Sequence, residues 1–367
     1  MTLAKAPAAA GVSTLRRPAA DAERTRMAEF PDHTAGATAR PGLSAAVEES
    51  DAVRLAAIRP GWRPQAALGL LERQDVLGYL LMLPAAFIIF FFLAYPFAWG
   101  VWMSVTNKEV GMPWARVSFV GLRNYVALWT GDGVFWNTVR NSFVYTGLAT
   151  AVKWVLGIWL AVLLNRVVRF QRIIRAAVLL PWIIPTVLST IAFLWIFDPD
   201  FSVINWTLRR FYTWMGWGYV KGPLWLGDPT LALMSVTFVN IWRGIPFYAI
   251  SFLAALQTID PDLYEAATID GAGGWQRFWH VTLPGIKPIT VVVIVFSIIV
   301  TFSDFQIVYV LTRGGPANST HLFATYAYQV AMVGTRLGLG AAISLFMFPV
   351  LALVVIFQLV YLRRDQR

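Results

Sequence analysis

The chain has 367 residues, of which 57% are hydrophobic and 14% are charged, and it carries a formal net charge of +10. About a quarter of the residues of a soluble protein are charged, so this composition excludes an ordinary soluble domain and indicates a polytopic membrane protein. The 17 tryptophans suit the membrane surface, and the basic excess suits loops that face anionic lipid rather than nucleic acid. Because cysteine is absent and the three histidines are scattered, we expect neither disulfides nor a metal site.

Residues 1–74 are rich in Ala, Arg, Pro and acidic residues and show no sustained period. We therefore expect a mostly disordered tail in the cytoplasm. A short amphipathic helix at 65–74, lying on the inner membrane surface, is a further hypothesis. The first apolar run begins near Leu77, which is too far along the chain for a secretory signal peptide. These features divide the chain into a tail and a membrane domain at 75–367.

Six runs of the membrane domain are long and apolar enough to cross a bilayer, which takes about 20 such residues. The predicted spans are 77–105, 142–165, 176–197, 231–256, 289–311 and 337–362. Pro181 and Pro185 predict a kink in the third span. Six spans place both termini on one side, together with the loop that joins spans four and five. Lys and Arg near the membrane are slightly more numerous on this side, which favours the cytoplasm.

The polar loop between spans four and five carries specific local signals. Asp260 and Pro261 form a helix start, with an acidic N-cap followed by proline at the first helical position. Gly271 and the two glycines after Ala272 predict the end of this helix and a left-handed turn that sends the chain back. The first half of the loop is therefore predicted to be a helix that ends in a glycine break.

The second half of the loop is predicted to be another helix with an apolar face. Trp275, Phe278 and Trp279 recur at the spacing of one helical face. We predict that Pro284 and Pro288 stop this helix where the fifth span begins. A polar loop with so much specified local structure is typical of a docking element, whereas a simple connection would not explain its aromatic face.

The run EAATIDGAGGWQRFWHVTLP, which starts at Glu265, resembles the EAA loop of ABC-importer permeases, in particular their carbohydrate branch. Residues 311–320 (LTRGGPANST) resemble the loop after the fifth span in maltose-type and glycerol-phosphate-type first permeases. The resemblance covers residues from about 75 to the end. It implies an all-α polytopic membrane protein with six transmembrane helices and a cytoplasmic helix-turn-helix docking loop. In this family the loop lies in a groove of the ATPase, and the matching positions are Glu265, Ala266, Ala267, Asp270, Gly271 and Pro284.

The chain has no nucleotide site of its own. None of its five lysines follows a glycine, so it cannot build a phosphate-binding P-loop. We therefore expect a transport subunit that is not an enzyme and holds no cofactor, with ATP bound by a partner. The resemblance implies a second homologous permease in a heterodimer, two ATPase subunits and an extracytoplasmic sugar-binding protein. It also implies a multi-pass protein in the lipid of a bacterial inner membrane, with both termini in the cytoplasm.

Ionisable residues inside spans are costly and are treated as functional hypotheses. Arg243 in span four and Asp304 in span five could form a structural pair or line the substrate path, and the sequence leaves both open. Lys153 in span two is interpreted as snorkelling to an interface. Sugar binding requires aromatic faces together with amides and hydroxyls. The further candidates of these types are Asn240, Trp242, Tyr248, Ser303, Gln306 and Tyr309.

Two alternatives stay open at this point. The same machine could import glycerol-phosphate or a polyol, since residues 311–320 argue only against a polyamine. A self-sufficient, ion-coupled carrier would instead require inverted repeats and acidic residues within the spans. Asp304 is the only carboxylate well inside a predicted span, which disfavours the carrier.

Overall fold

The computed structural model describes residues 74–111, 117–166, 169–218 and 221–365. The chain divides after Tyr79, and the architecture below is that of the unit Leu80–Arg367 and of the described residues 74–79, which begin its first helix. The predicted disordered tail and the hypothetical helix at 65–74 lie outside the described residues, apart from Gln74. Every regular element in the described ranges is helical, and the β-pairing found there is one isolated bridge between Thr106 and Phe119.

The described residues form sixteen α-helical segments. In chain order they are α1 (Gln74–Ile89), α2 (Tyr95–Ser104), α3 (Arg123–Gly131), α4 (Gly133–Arg166), α5 (Gln171–Ile183), α6 (Thr186–Ile196), α7 (Val203–Trp214), α8 (Pro229–Leu256), α9 (Pro261–Ile269), α10 (Gly274–Arg277), α11 (Leu283–Gly285), α12 (Lys287–Phe302), α13 (Gln306–Leu311), α14 (Phe323–Tyr328), α15 (Leu337–Leu345) and α16 (Met347–Asp365). Three π-helical turns join or extend these helices, at Phe90–Ala94, Phe278–Thr282 and Gln329–Val333.

Five helical stretches within the described residues are long and apolar enough to cross a membrane. They are Leu77–Ser104, Gly133–Arg166, Pro229–Leu256, Lys287–Leu311 and Leu337–Arg363. The pair α5 and α6 passes the same test together, although the two helices are bent by 86°. If this pair counts as one broken span, the described residues contain the six spans predicted from the sequence.

The third span contains a break where the sequence predicted a kink. Ile184 and Pro185 both have extended backbone angles, with ψ of 132° and 131°. The residue before a proline is sterically driven out of the helical region, so Ile184 ends α5 and Pro185 precedes α6. Pro181, by contrast, is accommodated inside α5. The second proline of the motif therefore sets the position of the break.

The centre of the unit is the packing of α4 against α8. The two helices approach closely at two glycines, because a Cβ on Gly157 would overlap the side chain of Tyr248 and one on Gly244 would overlap that of Lys153. The buried side of α4 carries Ser142, Tyr145 and Lys153, whereas its exposed side is largely apolar. This inside-out pattern fits a helix whose outer face meets lipid and whose inner face meets protein.

Candidate functional site

The first half of the predicted docking loop forms as expected. The Asp260 carboxylate accepts the N–H of Asp262 at 3.0 Å and caps α9, with Pro261 at the start of the helix. Gly271 ends the turn with φ of +80°, and nothing lies within 4 Å of where its Cβ would be. Backbone conformation, rather than space, therefore requires glycine at this position.

The residues of the Glu-Ala-Ala motif lie on the surface of this loop. Glu265, Ala266 and Asp270 are exposed, and Ala267 is half-buried. Within the described residues, the carboxylates of Glu265 and Asp270 have no hydrogen-bonding or ionic partner. Beside them lies Ile269, a large apolar side chain that is 87% exposed. Leu263 and Trp275 of the same loop are also exposed, and a surface with several exposed large apolar side chains is a candidate protein-binding surface.

The second half of the loop is also helical. The helix runs from α10 through the π-helical turn to α11, and Pro284 lies inside α11 instead of stopping the helix. The π-helical turn directly before it already departs from the regular hydrogen-bond pattern of an α-helix, so the missing N–H of proline is tolerated there. The one-residue break falls at Ile286, and Pro288 occupies the first turn of α12. The break between the second helix and the fifth span therefore falls between the two prolines, as predicted, although Pro284 itself is still helical.

Two side-chain hydrogen bonds fix the halves of the loop against each other. An Nη of Arg277 donates to the Thr268 hydroxyl at 3.0 Å, and the hydroxyls of Tyr264 and Thr282 lie 3.0 Å apart. Phe278 packs against the buried cluster that includes residues of α4 and α8. The two halves of the loop are therefore bonded to each other and packed against the spans.

A second site lies inside the spans and centres on Lys153. This side chain is only 3% exposed, and its Nζ donates to the Asn240 carbonyl oxygen at 2.9 Å and to the Thr301 hydroxyl at 2.8 Å. The interpretation of Lys153 as a snorkelling residue is therefore wrong. Hydrogen-bonding partners on α8 and α12 retain the ammonium group in the interior.

Asp304 lies on the other side of Asn240 and completes a buried network. Its Oδ2 accepts the Asn240 amide at 3.0 Å and the Tyr145 hydroxyl at 2.6 Å. Its Oδ1 accepts the N–H of Ile307 at 3.3 Å, so Asp304 also caps α13 after the break that follows α12. One amide thus bridges the ammonium group of Lys153 and the carboxylate of Asp304.

Arg243 does not form an ion pair with Asp304. Its guanidinium carbon lies 5.3 Å from the centre of the Trp182 ring, a cation–π arrangement. Its Nε is buried without a hydrogen-bond partner. Of the two possibilities that the sequence left open for Arg243 and Asp304, direct pairing is excluded in this conformation.

A cavity of about 30 Å³ lies between these groups. Among the described residues, its lining includes two cations, an amide, three hydroxyls and aromatic rings, and no carboxylate, from Lys153, Arg243, Asn240, Ser297, Thr301, Trp182, Phe247 and Tyr248. The Trp182 and Phe247 rings stack with their centres 5.1 Å apart. The cavity has room for about one water molecule, so entry of a larger molecule requires movement of the spans.

The structure separates the substrate-path candidates into two groups. Asn240, Arg243 and Tyr248 line the cavity, and Asp304 lies one hydrogen bond behind it. The remaining four candidates lie elsewhere: Trp242 packs on Phe193 with ring centres 4.9 Å apart, Ser303 donates to the Ile299 carbonyl at 2.8 Å, Gln306 is exposed, and Tyr309 stacks on Phe305.

Sequence reasoning missed Tyr145 and Trp182, and it misjudged Lys153. A signal for two of them was present, because Tyr145, Ala149 and Lys153 recur at four-residue intervals and share one face of α4. Trp182 gave no comparable signal in a chain so rich in tryptophan. Its position depends on the bend between α5 and α6.

Residues 311–320, the Gly-Gly-Pro loop that follows the fifth span, are fixed by hydrogen bonds and packing contacts. The Asn141 amide donates to the Ser319 carbonyl at 2.7 Å, and the Thr320 hydroxyl donates to that of Gly315 at 2.7 Å. The His321 ring packs where a Cβ on Gly314 would lie. Burial lowers the pKa of His321 to about 4, so the ring is neutral at pH 7.

Comparison with known proteins agrees with this architecture. The family described as binding-protein-dependent transport system inner membrane component matches residues 154–366. The trehalose/maltose transport system permease protein MalF of Thermococcus litoralis is 33% identical over 291 residues, which is 79% of this chain and 94% of that protein. The sulfoquinovosyl glycerol transport system permease protein SmoG of Agrobacterium fabrum is 34% identical over 306 residues, or 83% and 94% of the two chains.

A solved structure shows a similar fold. It is the crystal structure of a bacterial ABC transporter involved in the import of the acidic polysaccharide alginate, with a TM-score of 0.66 and 26% identity. The alignment covers 82% of this chain and all of the other. The family match extends over more than half of the chain and includes the docking loop and the network residues Asn240, Thr301 and Asp304, while Lys153 and Tyr145 lie just before its first residue. The chain belongs to the family of inner-membrane components of binding-protein-dependent transport systems, and it is a permease subunit rather than an enzyme.

Proposed function

We propose that this chain forms half of the translocation path of an ABC importer for a sugar or oligosaccharide. It would pair with a second homologous permease, two ATPase subunits and an extracytoplasmic binding protein, in a bacterial inner membrane with both termini in the cytoplasm. The observation that carries the proposal is the docking loop with its exposed and unpartnered Glu265, Ile269 and Asp270.

The names of related proteins support a carbohydrate cargo. Similar permeases are named for trehalose and maltose, for sulfoquinovosyl glycerol and for diacetylchitobiose. A binding-protein partner is supported by a similar structure of an alginate transporter in complex with its pentasaccharide-bound periplasmic protein. Glycerol-phosphate or a polyol remains the alternative cargo within the same machine. Family membership gives no support to the ion-coupled carrier.

The connection of the loop to the spans suggests how coupling would work. α8 leads into the loop and α12 leads out of it, and these helices carry Asn240 and Thr301, the two residues that bond Lys153. Closure of two ATP-loaded ATPase subunits would carry the docking loops together and move both helices as rigid bodies. That movement would open the small cavity and expose its polar lining to one side of the membrane.

The test replaces Gly271 by valine in the complete importer. A β-branched residue resists φ near +80°, so the turn after α9 should be deformed. Gly216→Val is a matched control, since Gly216 also has a positive φ, +75°, and open space around its Cβ position, but lies between spans three and four. Glu265→Ala is made in parallel. We expect Gly271→Val to lose ATPase co-purification and sugar-stimulated hydrolysis while the control retains both. Normal coupling in Gly271→Val would contradict the proposal.

A further inference from the structure

The charges around the cavity do not balance among the described residues, where Lys153 is buried and Arg243 is partly exposed. Lys153 and Arg243 are positive and Asp304 is negative, which leaves one positive charge in excess. Asn240 links Lys153 to Asp304 through two hydrogen bonds, so these two groups stabilise each other. Arg243 lies against the face of Trp182, and Asp304 attracts it electrostatically without forming an ion pair. An ionised group in such an environment is costly unless it is paired.

Arg243 cannot relieve this cost by reaching the membrane surface. It lies at the middle of α8, which runs from Pro229 to Leu256. At 1.5 Å per residue, each end of the helix is about 20 Å away, well beyond the length of an arginine side chain. The guanidinium instead borders the cavity, with rings of Trp182 and Phe247 on one side and the Asn240 amide on another.

We propose that the missing counter-charge is supplied by the cargo, and that the imported molecule is an acidic sugar or sugar derivative carrying a carboxylate, sulfonate or phosphate. This inference rests on the proposed function and adds the substrate class. A guanidinium presents a planar fork of N–H donors that pairs with such anions bidentately. Trp182 and Phe247 would contact the apolar face of the ring, and Lys153 and Asn240 would bond its hydroxyls. Because no carboxylate of the described residues lines the cavity, an entering anion meets no like charge from them there.

The same arrangement discriminates against a neutral sugar. A neutral cargo would still bury Arg243 but would leave its charge unpaired, and sites of this kind reject analogues that lack the matching group. Asp304 does not reverse the preference, since its carboxylate is already held by Tyr145, Asn240 and the N–H of Ile307.

The test uses the complete importer in proteoliposomes, with its own binding protein and ATPase. Matched acidic and neutral sugars serve as probes: glucuronate against glucose, galacturonate against galactose, and glucose 6-phosphate against glucose. We expect ATP hydrolysis to be stimulated by at least one acidic member and not by its neutral counterpart. Stimulation by neutral members alone would overturn this inference and leave the proposed function intact. Stimulation by none of these sugars would also overturn this inference, and the proposed function would still be tested by Gly271→Val.

Variants of Arg243 then locate the selectivity. We expect Arg243→Leu to raise the half-saturating concentration of the acidic sugar at least tenfold, and Arg243→Lys to raise it less. The binding protein is identical in every assay, so a change reports on the permease. An unchanged preference in Arg243→Leu would overturn the inference. So would loss of the second permease from the purified assembly in both variants, because Arg243 would then pair across the subunit interface.

Discussion

Removal of the Lys153 ammonium group should destabilise the helical bundle. Lys153→Met keeps most of the side-chain volume but loses two hydrogen bonds, at 2.9 Å to Asn240 and 2.8 Å to Thr301. It also removes the positive charge that lies across Asn240 from the Asp304 carboxylate. Breaking a buried charge pair costs about 3–5 kcal/mol in soluble proteins, and hydrogen bonds within membranes are worth about 0.6–1.7 kcal/mol each. We expect a loss of about 3 kcal/mol.

A second substitution separates the charge effect from simple loss of packing. In the double variant Lys153→Met with Asp304→Asn, the charges on both sides of Asn240 are removed together, and the new amide can still accept the Tyr145 hydroxyl. We expect the double variant to recover about 2 kcal/mol relative to the sum of the single changes. The measurement is the free energy of SDS-induced unfolding of the purified permease. A loss below about 0.5 kcal/mol in Lys153→Met, or strictly additive effects in the cycle, would refute the network.

Two further predictions concern packing and pH. Gly157→Ala should lower the free energy of unfolding by about 1–3 kcal/mol, because the new Cβ would overlap Tyr248. Gly147→Ala on the same helix is the control: nothing lies within 4 Å of its new Cβ, so it should be neutral or stabilising. SDS-induced unfolding of both variants measures the difference. Burial lowers the pKa of His321 from 6.5 to about 4. The contribution of the neutral ring to the free energy of unfolding is therefore complete above pH 6.5 and is lost as the pH falls towards 4. The free energy of unfolding should fall by about 3 kcal/mol over this pH range, and the fall should be absent in His321→Gln. An equal pH dependence of the unfolding free energy in both proteins would contradict a buried, neutral His321.

The sequence was sufficient to predict elements whose signals are local. Spans depend on runs of apolar residues, and the predicted fourth span, 231–256, lies within the observed Pro229–Leu256. The start of α9 depends on Asp260 and Pro261, which are adjacent, and its end depends on Gly271. Each of these features follows from the chemistry of a few neighbouring residues, so no knowledge of the fold was required.

The buried network could not be predicted in the same way. Lys153 bonds partners 87 and 148 positions further along the chain, so its environment depends on how α8 and α12 pack against α4. A helix also separates neighbours in sequence: Asn240 faces the network, whereas Trp242, two residues later, packs on Phe193. Residue type made both plausible candidates, and helix orientation decided between them.

The central claim is that the loop around α9 contacts the ATPase. Because the chain has no cysteine, Ile269→Cys creates a single attachment site for a benzophenone maleimide photo-crosslinker. Ile269 is 87% exposed, and Phe201→Cys is a control that is 74% exposed and lies between spans three and four. We predict that, in the assembled importer, the label at position 269 crosslinks to the ATPase subunit and the label at 201 does not. An assembly that hydrolyses ATP but shows no ATPase crosslink from position 269 would contradict the account.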